Sequence, residues 1–591
     1  MTPLASLKSL FTTALTTLAD SAKVPDYVAM IKPAGNAEHG DYQANMAMAL
    51  AKVLGKKPQD VAKEIIAAIS KNEVIESASV AGPGFINLKL STAYLAKSVQ
   101  AMATDVRLGI PATTSPKKFV IDYSSPNVAK PLHVGHLRST IIGDTLVRIL
   151  RFQGHTVLGD NHLGDWGTQF GMLIYGYRTF LDAAAYKTDP VRELARIYVE
   201  VRKAIGSEDE EGAKNPVADA CRAETAKLHA GNAENFALWQ QFMPHCMAEI
   251  HGIYKRLGIL PHDHEHGESF YNPMLPGVVD DLLGKGVAEP GDGGAIIVRT
   301  GKDQVSLIRK KDGAFTYTTS DLATIQYRVK EFQPDVCLYV VDFRQGQHFK
   351  SLFEVAKTWG YKSVELTHIS FGSVTGADGK PLKTRDGTAV ELAGLLDEAE
   401  QLGAAKYRES YEDRKAHGHA VEELSDNQIA EIGRVVGIGA VKYADLSQNR
   451  TSDYKYDPAK MLATDGNTAT YMQYAYARAR SIFRKGDIDD ARFRTSPPLP
   501  TLALPAERNL ALQLLRFGEA LDAAAAEYLP HLLTGYLWDL AKAYSQFFEQ
   551  CPVLTAEAPA LKESRLLLVD LVSRVLRQTL DLLGIGVVER M

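Results

Sequence analysis

Leu4, Leu7, Phe11, Leu15 and Leu18 recur at helical spacing, so the chain opens on an amphipathic helix. Helices are predicted near 43–55 and 58–70, after a turn-rich GDYQAN (40–45). A strand is predicted over 81–90, where Gly82-Pro83-Gly84 supplies the break before it. The polar PATTSPKK (111–118) closes this α+β region, and from Phe119 the texture changes. FVIDYS reads as a buried strand, HVGHLRSTIIGDTLVRILRFQG as a helix ending near Gly154, and TVLGDN (156–161) as a second strand. Strand, helix and strand in that order are the βαβ unit of a parallel sheet. A helical insertion is predicted over about 180–260, including the acidic run Glu208 to Glu211, with further strands at 295–300, 305–310, 336–342 and 367–374. From about 427 the pattern is almost wholly helical, interrupted by the proline-rich 495–507. In its last helix Leu568, Leu571, Val572, Val575, Leu576, Thr579 and Leu582 line one face, with Gly584 at the C-cap. The predicted division is an α+β region over 1–112, an α/β parallel-sheet region over 113–455, and an all-α region over 456–591.

Composition narrows the function classes. A chain of 591 residues holds several folding units, each able to bury a core. The 66 basic and 71 acidic residues give a formal charge of -5, so any nucleic-acid contact must come from a local basic patch. Cys221, Cys246, Cys337 and Cys551 are dispersed without a CxxC pair, which predicts reduced thiols in the cytoplasm and no protein-bound zinc or other metal. No run of about 18 apolar residues predicts a membrane span. The first 23 residues are acid-poor and Ser/Thr-rich like a transit peptide, yet they lack Arg and keep the helical apolar period, so they read as a domain helix.

The most informative short motif is His133-Val134-Gly135-His136, which follows a strand and opens a helix. Unpaired backbone N–H groups and the positive end of the helix dipole favour an anion there. Gly135, lacking Cβ, lets a nucleotide approach the backbone, and two imidazoles three residues apart can both donate to phosphate oxygens. The chain has no GxxxxGK[ST] and no GxGxxG at a strand end. Taken alone, the tetrapeptide serves equally as a helix cap.

The surrounding run VIDYSSPNVAKPLHVGHLRSTIIGD (120–144) closely resembles the first signature of the arginyl-tRNA synthetases, a class I aminoacyl-tRNA synthetase family. NHLGDWGTQFG (161–171), YTTSDLATIQYR (317–328) and VVDFRQGQHF (340–349) resemble its catalytic segments. GDYQAN and AGPGFINL resemble its N-terminal tRNA-binding domain; 467–485, QFFEQCPVL (546–554) and the terminal ERM resemble its anticodon-binding domain. The resemblance implies a Rossmann-like catalytic domain between those two, and an enzyme that activates L-arginine with ATP and Mg²⁺ and loads it onto tRNA(Arg). A monomer is expected, and no membrane partner, since no stretch reaches the apolar length of a span. No editing domain is expected, because a pocket of carboxylates built for a guanidinium excludes analogues that leave them unpaired.

Residue roles follow from the same resemblance. Arginine's five-donor plane needs carboxylate, hydroxyl and amide acceptors. Tyr317, Asp321 and Gln345 are assigned to that end, Tyr317 and Asp321 four residues apart on one helix face; Asp122, Ser124, Asn127 and His133 are assigned to the α-amino and backbone end. Asp122 stands where many members carry Glu. ATP is expected at Lys130, His133, Gly135, His136 and Thr384, with Lys383 and Arg385 of GADGKPLKTRDG (376–387) closing over the pyrophosphate. Arg385 occupies the place of a usual lysine, which changes geometry and hydration. Tyr42, Gln43 and Asn45 are candidates for the tRNA elbow. Tyr474, Arg478, Arg484, Phe548 and Met591, with Tyr471, Tyr476, Arg480, Tyr544 and Phe547 around them, are candidates for the anticodon, although aromatic stripes on helices are more often core.

Lys130 is expected to supply a compact charge at the α-phosphate. Replacing it by Ala should slow adenylate formation more than it raises the KM for arginine in steady-state kinetics; the reverse pattern rejects the role.

Overall fold

A computed structural model describes residues 2–69, 72–206, 215–301, 304–376, 378–380, 382, 390–418 and 423–591. They gather into two compact units: Met1–Ala112 with Ala463–Asp581 and Gly586–Met591, and Thr113–Leu462 with Leu582–Ile585.

The second unit is built on five strands, β1 (Lys118–Asp122), β2 (Thr156–Leu163), β3 (His264–Gly267), β4 (Val336–Tyr339) and β5 (Glu365–His368), in the order β5-β4-β1-β2-β3. All four pairings are parallel, and Asp122 at the end of β1 lies opposite Tyr339 on one side and Asp160 on the other. Parallel strands covered on both faces are apolar throughout, and Phe119, Val120 and Ile121 are all buried. Helix α1 (Val134–Phe152) makes the crossover from β1 to β2. A Cβ on its Gly143 would lie 2.2 Å from Tyr123, so only glycine lets the helix rest on the strand's exit. The described residues of the insertion between β2 and β3 are mostly helical and end in α2 (Ala233–Leu257); the acidic run Glu208 to Glu211 lies outside the described residues. Helices α3 (Tyr317–Phe332) and α4 (Gly346–Trp359) pack Leu322, Ala323, Leu352 and Trp359 against Val120 and Cys337.

From β1 the chain moves to β2 and β3 on one side; from β4 it moves to β5 on the other. The reversal between β1 and β4 opens a crevice at the carboxyl ends of these strands, where doubly wound sheets bind their ligands. Two expectations change in detail. The strands predicted at 295–300 and 305–310 form, with Glu289–Pro290, a separate antiparallel sheet. The run 367–374 is broken: β5 ends at His368, and Val374–Thr375 pairs instead with Tyr454–Lys455.

The first unit carries an antiparallel sheet in the order Ile31–Pro33, Tyr42–Ala44, Phe85–Leu90, Ile75–Ala81. GDYQAN is thus partly strand, since Tyr42 and Ala44 alternate into the core, and Gly82-Pro83-Gly84 turns a hairpin. The helices of this unit include α5 (Ala469–Gly486) and α6 (His531–Gln550). Segments far apart in sequence share its interior: Arg508 sends Nη2 to Asp41 at 2.6 Å, and Arg516 donates to the Asp41 carbonyl. The chain's two ends, separate in the sequence pattern, therefore form one compact body.

Candidate active site

The crevice is a cavity of about 380 Å³ whose walls come from the turn after β1, the start of α1, α3, and the loop after β4. Its floor is set by Arg328, fully buried on α3. Nη2 donates to Asp122 and Nε to Asp160, each at 2.7 Å, and the guanidinium lies 5.3 Å from the Tyr339 ring centre. Burial alone would raise the Asp122 carboxyl; the Arg328 charge, with His162 and a bond from Ser125 Oγ, holds it below its ordinary range. Asp122 lines the cavity, with both oxygens already bonded within the protein.

Beyond Asp122 the backbone turns sharply. Ser124 and Ser125 both have positive φ, 71° and 46°, a conformation that costs about 1–3 kcal/mol per residue outside glycine. The turn persists because its groups are bonded from several elements. Ser124 N–H donates to Ser139 Oγ, which donates to the Val340 carbonyl, and Ser125 N–H donates to Asn161 Oδ1. Asn127 follows, its Oδ1 buried without a partner, and Ser124 and Asn127 both line the cavity.

The start of α1 differs from the open anion site expected of it. His133 Nδ1 accepts from Gly135 N–H, and His136 Nδ1 accepts from His133 N–H, so the two imidazoles cap the helix themselves. A Cβ on Gly135 would sit 2.8 Å from the His133 ring; the glycine makes room for this fold-back. An accepting Nδ1 fixes the proton on Nε2, so each neutral ring keeps one N–H donor to offer a ligand. Burial, together with neighbouring His133 and Lys130, pushes His136 down to about 3; burial and Lys130 push His133 to about 4. Burial also lowers the Lys130 ammonium, with Arg202 adding to it. Lys130, Gly135 and His136 line the cavity; His133 does not. Lys383, Thr384 and Arg385 lie outside the described residues. The segment after them is fixed, since Val134 N–H donates to the Val390 carbonyl and Leu392 N–H to the Leu132 carbonyl, stitching it to the HVGH turn.

Elsewhere in the cavity two carboxylates face inward. Asp321 on α3 is bonded to His348 Nε2 at 2.6 Å, and that bond, against the opposing effect of burial, raises the His348 pKa. Glu268 is pushed up by burial and by the nearby charges of Asp165 and Asp321. Gln345 lines the same space, whereas Tyr317, at the first position of α3, is 78% exposed and lies outside it. Glu268 was missed because no period or motif marks it; His162 and Asp342 lie inside the segments 161–171 and 340–349 but were not singled out within them. Arg328 was findable: Asp321, Thr324 and Arg328 share one helix face.

In the first unit, Arg478 on α5 lies 4.6 Å from the Tyr474 ring centre and 5.2 Å from that of Phe548 on α6, both aromatics being partly exposed. Arg484 and Arg480 reach Glu589; Tyr471 bonds Ser545, Tyr476 bonds Glu589, and Met591 is half-buried. Tyr544 and Phe547 are fully buried and cannot meet a base directly. Tyr42 requires the same correction: it has no exposure, donates to Glu519, and stacks under Arg516. Gln43, bonded to Asn87, and Asn45 are half-buried.

Comparison with known proteins extends these observations. Residues 98–458 match the family model for tRNA synthetases class I (R), catalytic domain. Residues 5–90 match the arginyl tRNA synthetase N terminal domain, and 472–591 the DALR anticodon binding domain. The chain is 44% identical to an arginine–tRNA ligase of Rhodopirellula baltica over 99% of both proteins. It is 42% identical to that of Escherichia coli O157:H7 over 95% of both. Its fold matches the crystal structure of the Plasmodium falciparum arginyl-tRNA synthetase with a TM-score of 0.81, at 28% identity and 99% coverage of each chain.

The depressed imidazoles carry a pH signature. The unfolded chain takes up a proton at His136 as pH falls below about 6.5, whereas the folded chain resists until about 3, so stability present above 6.5 is lost on acidification. Asn at 136 keeps an acceptor for the His133 N–H without a titrating ring. Between about pH 7 and pH 5 the Tm of His136→Asn should fall less than that of the wild type; parallel falls contradict the assignment.

Proposed function

The chain belongs to the arginyl-tRNA synthetases, class I ligases that join arginine to its tRNA using ATP, and from that premise we propose that arginine and ATP meet in the cavity above β1 and β4. One observation supports this most strongly: a single cavity is lined both by Asp321 and Glu268 and by Lys130 and the His136 turn. A flat cation with five donors suits the first pair, and a polyphosphate suits the second.

In this reading the guanidinium lies against Asp321, with Glu268 and Gln345 beside it and Tyr317 at the rim. Asn127 Oδ1 accepts from the α-ammonium, because a buried acceptor without a partner is stabilised by a charged donor. Ser124 and Asp122 hold the turn that aims it. ATP extends its phosphates toward Lys130, Gly135 and the Nε2–H of His136; His133 supports that end as a cap. Lys383, Thr384 and Arg385 would close over the pyrophosphate from the segment anchored at Val390.

A carboxylate oxygen of arginine then forms a bond to the α-phosphorus as the bond to the bridging oxygen of pyrophosphate breaks. In the second step the 2′-hydroxyl of the terminal adenosine of tRNA(Arg) attacks the arginyl carbonyl, its proton leaves, and AMP departs. The protein contributes positioning and charge stabilisation. Among the described residues no cluster of three or more His, Cys, Asp or Glu is placed to hold a metal, so the Mg²⁺ of the reaction is proposed to arrive on the ATP. The anticodon is proposed to contact Tyr474, Arg478 and Phe548, with Arg484 and Met591 near them and Gln43 and Asn45 toward the elbow. No helix among the described residues is long and apolar enough to cross a membrane; a monomer acting in the cytoplasm is the proposed setting.

The arginine pocket is tested through Asp321. Asp321→Asn removes one charge from the guanidinium site, and truncating such a partner costs about 2–5 kcal/mol. The KM for arginine in aminoacylation of tRNA should rise about a hundredfold with a much smaller change in kcat. An unchanged KM refutes the pocket.

A further inference from the structure

Ser124, in the left-handed turn, has its hydroxyl within reach of two others: Thr140 Oγ1 at 2.8 Å and Tyr254 Oη at 2.7 Å. All three residues are buried. A hydroxyl has one proton to give, which fixes the direction of the whole chain. Thr140 already donates to the His136 carbonyl at 2.8 Å, so it can only accept from Ser124. Ser124 therefore donates to Thr140 and must accept from Tyr254. Tyr254 in turn accepts from Asn161 Nδ2, 3.2 Å away. The Asn161 amide is oriented without ambiguity: its oxygen accepts from Ser125 N–H, and its nitrogen also donates to Glu265. The protons run one way, from Asn161 through Tyr254, Ser124 and Thr140 to the carbonyl of His136.

Tyr254 is the member of this relay that comes from the helical insertion, in the last turns of α2. Its phenol is the one hydroxyl that joins the insertion to the signature turn along this path. From this directionality we infer that Tyr254 is a positioning residue for adenylate formation. It touches no substrate; by donating to Ser124 it fixes the left-handed turn and, through Thr140, the first turn of α1. The inference rests on the reading of the Asp122–His136 turn as the substrate site. Without the phenol, Ser124 Oγ loses its one donor among the described residues, and its hydroxyl is free to turn away from Thr140. The two strained residues can then relax, and a misplaced turn lowers the rate of an in-line reaction more than it weakens binding.

The test uses the full-length chain with Tyr254→Phe, Thr140→Val and the double variant, in arginine-dependent ATP–pyrophosphate exchange with tRNA present. Tyr254→Phe should lower kcat by about tenfold or more with the KM for ATP within about twofold, and with Tm close to wild type. A relay acts as one unit, so the double variant should lose no more than the worse single one. A wild-type kcat in Tyr254→Phe, or losses that multiply in the double variant, overturns the inference. If Tyr254→Phe does not fold, Thr140→Val decides by the same kcat criterion. Asn127→Ala, assayed alongside, separates the two claims. Unimpaired Asn127→Ala refutes the site reading, whereas impaired Asn127→Ala beside unimpaired Tyr254→Phe refutes only the relay.

Discussion

Arg328 gives one nitrogen to Asp122 and another to Asp160, with no part of its side chain open to solvent. Asp122 ends β1 and Asp160 lies opposite it within the adjacent parallel β2, where like charges would otherwise push apart or take up protons. A buried ion pair adds little net stability over a well-packed apolar core, but removing one partner strands a charge and costs about 3–5 kcal/mol. The triad is therefore a geometric constraint before it is a source of stability. It locks β1 to β2 beside the switch point. It also fixes the Asp122 oxygen to which Ser125 donates, and Ser125 belongs to the strained turn.

Everything at the proposed phosphate end follows from that turn. The chain leaves β1, reverses through two left-handed serines, and enters α1 through a cap made of its own imidazoles. Self-capping satisfies helix N–H groups that a bare terminus would leave open and puts the ring proton on Nε2, while burial and Lys130 keep both rings neutral. The imidazole donors at the proposed phosphate end are thus uncharged, and among the described residues lining it the positive charge comes from Lys130. The other part of the cavity carries carboxylates, Asp321, which is paired with His348, and Glu268, a lining suited to a cationic substrate.

The alternation of apolar strand and amphipathic helix after Phe119 was enough to read the parallel sheet, because strands buried on both faces leave a continuous hydrophobic trace. The helical ending was legible for the same reason, and the predicted face from Leu568 to Leu582 is buried. What escaped was long-range. Nothing local says that Asp41 will meet Arg508, or that the first and last regions will share a core. The site divides in the same way. Lys130, His136, Asn127 and Asp321 sit in recognisable strings, whereas Glu268 and Tyr254 join the site only through the fold. Tyr42 misled because a turn-like sequence hid a strand whose alternate side chains point inward.

The central claim is that the Arg328 bridge holds the substrate turn in place. The most direct measurement is arginine aminoacylation by Arg328→Met, which keeps much of the bulk and removes the charge, with circular dichroism confirming that the chain is folded. Loss of the bridge should lower kcat/KM by about a hundredfold or more, in line with the cost of leaving buried carboxylates unpaired. A folded Arg328→Met with wild-type turnover would contradict it.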